Sequence, residues 1–92
     1  MSYKFECEYL NGKRNGKGKE YNYSELEFEG EYLNGKRNGK GKEYFQNHLL
    51  FEGEYLNGKR NGIGKLYYIT KIYGFKIEDS KKIKANFYMV RN

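Results

Sequence analysis

Three features of this 92-residue chain have residue types that do chemistry in other settings: a single histidine (His48), a single cysteine (Cys7) and the glycine-lysine stretch "GKRNGKGK" at 35–42. None of them assembles into a catalytic set. A phosphate-cradling loop has the pattern Gly-x-x-x-x-Gly-Lys-Ser/Thr, whereas Gly35 and Gly39-Lys40 enclose three residues and Gly41 stands where a magnesium-binding hydroxyl is needed. His48 has no second histidine with which to build a multi-histidine metal site, and it lies in a polar turn between strand-like segments. Cys7 has no partner for a disulfide, which fits a reducing compartment. The chain is expected to have no catalytic residues, no metal, no cofactor and no small-molecule substrate.

The glycine-lysine stretch has another explanation. "FEGEYLNGKRNGKGKEY" at 28–44 recurs at 5–21 with Cys7 in place of Gly30, and at 51–67 with Ile63 for Lys40 and Leu66 for Glu43. Phe5, Phe28 and Phe51 recur every 23 residues, and a fixed period in that range marks an array whose units bury surface against their neighbours. Each unit reads as a hairpin. "FEGEYL" alternates with period two, "NGKRNG" supplies residues that accept positive φ, and "KGKEYF" returns as a second strand. Polar residues in the spacers (Ser24-Glu25, Asn47-His48, Thr70-Lys71) suit two-residue turns into the next strand. Eleven Tyr, six Phe, twelve Gly and no Pro favour strands joined by tight turns.

The turns at Ser24-Glu25 and Asn47-His48 place Tyr21 opposite Phe28, Tyr44 opposite Phe51, and Lys19 and Lys42 opposite Gly30 and Gly53. A neighbouring ring or a lysine stem is expected to lie over the notch that a glycine leaves. This register also sets Glu20 against Glu29 and Glu43 against Glu52, an unfavourable pairing of like charges. The last segment, "GFKIEDSKKIKANFYMV", reads as a closing hairpin: a strand to Ile77, a turn at Asp79-Ser80-Lys81, then inward alternation of Ile83, Ala85, Phe87 and Met89. It should cap Ile63 and Leu66, with Leu66 opposite Phe75.

Aromatic-Glu-Gly-Glu-Tyr, then Asn-Gly, then Gly-x-Gly, every 23 residues over 5–67, resembles the MORN (membrane occupation and recognition nexus) repeat. The resemblance implies an all-β, elongated, single-layer antiparallel sheet of consecutive β-hairpins. One domain over 1–92 would hold repeats 5–27, 28–50 and 51–73 and a degenerate capping segment 74–92. It also implies a non-enzymatic scaffold or adaptor that binds a protein partner or itself, with acidic phospholipid as an alternative ligand. Cys7 at the first glycine position and Tyr23-Ser24-Glu25 at the second turn depart from the family pattern.

Two surfaces are candidates. Parity puts Phe5, Tyr9, Tyr21, Phe28, Tyr32, Tyr44, Phe51, Tyr55 and Tyr67 on one face, either a groove for a protein partner or the packing face of the sheet. Eleven of the eighteen basic residues lie in the three equivalent loops, where Lys13, Arg14, Lys17, Lys36, Arg37, Lys40, Lys59 and Arg60 form a row that either meets an anionic ligand or keeps the rim solvated. The net charge of +6 admits acidic partners, but no rings interleave with the cations as stacking platforms, which argues against nucleic acid. The expected location is cytoplasmic, peripheral to a membrane if the lipid alternative holds. Exposed sheet edges and near-identical units make a homodimer the other candidate assembly.

Overall fold

The computed structural model describes residues 2–74 and 76–87, with side chains outside 69–73 and 76–80. Seven strands form one open antiparallel sheet in chain order: β1 (Tyr3–Leu10), β2 (Lys13–Asn22), β3 (Glu25–Leu33), β4 (Lys36–Phe45), β5 (His48–Leu56), β6 (Lys59–Tyr73) and β7 (Lys76–Phe87). The all-β hairpin architecture expected from the repeat is the one observed.

Each unit uses its two Asn-Gly pairs differently. Asn11-Gly12, Asn34-Gly35 and Asn57-Gly58 have positive φ at both residues and reverse the chain, the geometry that matches the twist of the flanking strands. The second pair already lies in the returning strand. Asn15, Gly16 and Lys17 face the single residue Glu8, and Gly16 takes φ +99° to make the bulge. The Glu8 carboxylate accepts the Lys17 amide at 2.6 Å, and Glu31 accepts the Lys40 amide at 3.0 Å. A glutamate side chain thus satisfies the amide that the bulge takes out of the ladder.

The spacer turns fall one residue earlier than expected, at Tyr23-Ser24 and Gln46-Asn47, all with positive φ. A bulge between Glu20 and Tyr21, repeated between Glu43 and Tyr44, absorbs one further residue. The resulting register corrects the sequence reading by one place: Lys19 faces Glu29, Glu20 faces Phe28, Lys42 faces Glu52 and Glu43 faces Phe51. The anticipated clash of glutamates disappears, because opposite charges now pair at Lys19–Glu29 (3.6 Å) and Lys42–Glu52 (3.7 Å). A one-residue slip exchanges the faces of a strand, so register decides which set of side chains is buried.

One row of small residues crosses the whole sheet: Cys7, Gly18, Gly30, Gly41, Gly53, Gly64 and Ala85, one per strand. The rings of Phe28 and Phe51 lie in this trough. A Cβ at Gly41 would approach Phe28 Cε1 to 2.6 Å, and one at Gly64 would approach Phe51 Cε1 to 2.5 Å. The expected notches at Gly30 and Gly53 are thus filled by the ring two residues earlier on the same strand, Phe28 and Phe51. The core is correspondingly thin: Phe28, Tyr32, Phe51 and Tyr55 are buried, with Cys7, Leu66 and Phe87 packed at its margin.

The closing hairpin differs from the expectation. β6 runs on to Tyr73, the chain reverses after it at Gly74 (φ +60°), and Asp79 and Ser80 lie within β7 rather than in a turn. Leu66 faces Ile83, and Ile63 faces Asn86 and remains exposed. Phe75 and Met89, named in the sequence reading, lie outside the described residues. β7 supplies "IKANF" (83–87) where other units supply "FEGEY", since Ile83 occupies the Phe position opposite Leu66, Ala85 the Gly position and Phe87 the Tyr position.

Gly30→Ala should lower stability by about 2 kcal/mol, because its Cβ would lie 2.5 Å from the Lys40 carbonyl oxygen and 2.7 Å from Gly41 Cα, backbone atoms that cannot swing aside. Urea unfolding monitored by tyrosine fluorescence checks this; a midpoint equal to wild type refutes the close-approach account.

Candidate functional site

The two faces of the sheet have different chemistry. On the first, rings and guanidinium groups alternate. Arg14 Cζ lies 3.9 Å from the Phe5 ring centroid, Arg37 4.1 Å from Phe28 and Arg60 4.3 Å from Phe51. Tyr32, Phe28, Tyr55, Phe51 and Phe87 form an edge-to-face zigzag with centroids 5.2–5.6 Å apart. The positive ring edges meet neighbouring ring faces, an arrangement favoured over parallel stacking.

Arg37 and Arg60 also clamp the preceding unit. Arg37 donates from Nε and Nη2 to Glu20, both at 2.9 Å, and the Tyr32 hydroxyl donates to the same carboxylate. Arg60 repeats this on Glu43 at 2.8 and 3.0 Å, joined by Tyr55. Glu20 is only 5% exposed, and Tyr3 donates to it as well at 2.8 Å. Burial pushes both carboxyls up, but the donated hydrogen bonds from arginine and tyrosine outweigh it and hold Glu20 and Glu43 below the usual range. Burial and the Glu20 carboxylate raise the Tyr3 hydroxyl to about 12 and push Tyr32 higher still, and burial with Glu43 does the same to Tyr55.

In the third unit the carboxylate and the tyrosine hydroxyl are replaced together. Leu66 stands where Glu20 and Glu43 stand, and Phe87 takes the tyrosine place, 5.4 Å from Phe51. Exchanging both partners for apolar groups leaves no orphaned polar atom, whereas exchanging one would.

The second face carries a groove of about 940 Å³ that crosses every strand from Glu6 on β1 to Lys84 on β7. Its floor is the backbone of the glycine row. One wall is the ladder Glu6, Lys19, Glu29, Lys42, Glu52 and Lys65, in which each residue faces the next across the strands and the sign alternates. Lys17, Glu31, Lys40 and Glu54 form the other wall, with Ile63 at its end.

These positions divide the sequence-derived candidates. Phe28, Tyr32, Phe51 and Tyr55 are core, and Phe5 and Tyr9 are their exposed equivalents on β1. Tyr21, Tyr44 and Tyr67 do not share that face. The Tyr44 hydroxyl donates to Glu29 and the Tyr67 hydroxyl to Glu52, each at 3.4 Å, and Lys4 lies over the Tyr21 ring, so these three tyrosines join the charged face. The single aromatic face is corrected because each of these tyrosines directly follows an inward-facing Glu20, Glu43 or Leu66 and must point the other way.

The basic row divides too. Arg37 and Arg60 are held in ion pairs and Arg14 is stacked on Phe5, whereas Lys13, Lys36 and Lys59 are exposed beside the Asn-Gly turns and Lys17 and Lys40 line the groove. Sequence reasoning missed the Glu–Arg clamp and the exposed leucines Leu10, Leu33 and Leu56, which face Lys13, Lys36 and Lys59 across the turns. The recurrence of Glu20 and Glu43, and its failure at Leu66, was the available signal for the clamp.

A family model described as MORN repeat matches residues 6–24, 28–49 and 51–71. No curated protein and no solved structure matches the chain.

The clamp sets a pH dependence. A carboxylate whose folded pKa lies below its unfolded value contributes fully above the unfolded value and loses that contribution as pH falls through the folded one. Stability should therefore drop on acidification below about pH 4.5, the ordinary glutamate value. Arg60→Met should cost about 3 kcal/mol at neutral pH by leaving Glu43 half-buried without its cation, and should flatten the acid drop. Urea midpoints across pH 3 to 7, a range set by glutamate titration, measure both; parallel curves for variant and wild type would remove the clamp from the account.

Proposed function

The chain belongs to the MORN-repeat family, and from that premise we propose that it is a non-enzymatic interaction module that takes a segment of a protein partner in the charge-lined groove. The observation that carries this reading is the alternation of sign along both walls of the groove from β1 to β5, which on the ladder side continues to Lys65 and stops where Lys65 faces Lys84. A polyanion laid across the strands would meet Glu29 and Glu52, or Glu31 and Glu54, between the lysines. A polypeptide carrying both signs can match the ladder, and complementary charge sets the register and the rate of encounter. The glycine floor lets the partner's backbone approach closely.

The aromatic face supports this role indirectly. Its rings are committed to holding the sheet together, so the open surface for binding lies on the opposite side.

A second reading is supported by a separate feature. Leu10, Leu33 and Leu56 are 59%, 50% and 38% exposed, and each faces a lysine at an Asn-Gly turn. A row of apolar side chains with cations beside them suits contact with an anionic bilayer surface, at about 1 kcal/mol for each lysine near it. No helix among the described residues is long and apolar enough to cross a membrane.

Two sets of variants separate these readings. Lys19→Gln with Lys42→Gln should weaken binding of a recovered partner about tenfold while the sheet persists, since each exposed ion pair contributes only about 0.5 kcal/mol. Unchanged affinity in a two-component titration excludes the groove. Lys13→Gln, Lys36→Gln and Lys59→Gln together should abolish cosedimentation with phosphatidylserine vesicles on the second reading, and no cosedimentation of the wild type at low salt disposes of that reading.

A further inference from the structure

The clamp that joins the units is incomplete at the first strand. Tyr32 and Arg37 close on Glu20, and Tyr55 and Arg60 close on Glu43. Tyr9 and Arg14 are the same two residues in the first unit, and among the described residues no strand pairs with the outer side of β1 to bring them a carboxylate. Arg14 is already in position, 3.9 Å from the Phe5 ring and 5.4 Å from Tyr32, as Arg37 is on Phe28 and Tyr55. Its Nη2 donates to the Gly35 carbonyl at 2.8 Å instead of to a carboxylate. Tyr9 is 61% exposed where Tyr32 and Tyr55 are 4%, and Phe5 is 39% exposed where Phe28 and Phe51 are 0%.

We propose that Tyr9 and Arg14, on the open edge of β1, form a carboxylate socket that captures an added antiparallel β-strand carrying glutamate two residues after a glycine. This rests on the reading of the chain as an interaction module and specifies the chemistry of a partner at the sheet edge. The register follows from the interior of the molecule. Gly18 faces Gly30 and Glu20 faces Phe28, so the incoming glycine lies opposite Cys7 and the incoming glutamate opposite Phe5, within reach of Tyr9 and Arg14. Main-chain hydrogen bonds along the edge supply sequence-independent affinity, and the guanidinium fork selects the carboxylate. The planar fork fits two carboxylate oxygens in a way that a lysine ammonium cannot.

Pairing of two copies through β1 does not meet this requirement. Antiparallel β1 strands centred on Cys7 would set Tyr9 of one copy opposite Phe5 of the other and offer Arg14 no acid. The opposite end of the array differs: Leu66 and Phe87 have replaced the glutamate and the tyrosine, so the apolar version of the same contact closes that side within the chain.

The probe is a synthetic peptide with the sequence of residues 13–22, KRNGKGKEYN, titrated into the isotope-labelled full chain and followed by amide shifts in NMR. The expected result is perturbation confined to β1 and Arg14, with affinity at least tenfold weaker when the peptide glutamate is replaced by glutamine. Arg14→Met in the protein should give a similar loss, and Tyr9→Phe, at an exposed hydroxyl, about a threefold loss in a chain that folds as wild type does. Equal affinity for the glutamine peptide, no binding at millimolar peptide, or a β1-paired homodimer in place of the complex overturns the socket. Perturbation of the glycine-floored groove instead of β1 overturns the socket and leaves the module reading standing.

Discussion

The structure depends on one repeated interaction, in which an arginine stacked on its own unit's phenylalanine grips the glutamate of the unit before it. A single-layer sheet has no second layer to bury its hydrophobic face, and among the described residues four side chains are buried apolar groups. The clamp compensates by covering the rings with guanidinium planes whose charge is neutralised on the spot. Cation–π contact holds the plane down while the bidentate bond to Glu20 or Glu43 fixes its direction. Each unit thereby contributes half of the contact that orders its neighbour.

A half-buried ion pair costs desolvation, which explains how the array ends. A glutamate at the position of Leu66 would be a carboxylate at the margin of the core with Phe87, not a tyrosine hydroxyl, at the donor's place. Leucine there, with Phe87 in place of a tyrosine, keeps the shape of the contact and removes the polar atoms. The two substitutions that set the third copy apart have different consequences. Leu66 belongs to the packing face, whereas Ile63 stands in the groove wall and replaces a cation with an apolar side chain.

Glycine links the two faces. Without Cβ atoms, the row from Gly18 to Gly64 lets phenylalanine rings sink onto the backbone on one side and leaves a flat floor on the other. The same absence of side chains thus builds the thin core and the groove. Lysine or glutamate stands on either side of that floor because it flanks Gly18, Gly30, Gly41 and Gly53 in sequence, with Ile63 the exception beside Gly64, and a strand turns alternate residues to the same side.

The sequence by itself determined the repeat, its period, the strand and turn content and the membership of a family of hairpin arrays, because alternation, Asn-Gly pairs and recurrence are local properties of the chain. It also carried the clamp in latent form, since Arg14, Arg37 and Arg60 recur while the glutamate recurs only twice. The tertiary structure decided the register. Tyr23-Ser24 and Gln46-Asn47 adopt left-handed turns that composition does not favour, and a bulge beside each corrects the count. That single residue of displacement separates Tyr21 and Tyr44 from the rings of the next unit, turns facing glutamates into lysine–glutamate pairs and transfers the open groove to the charged side. It was illegible in the sequence because strand pairing is settled by the sum of cross-strand contacts, and the clamp and the nested rings, both made between distant residues, outweigh the local preference of a turn.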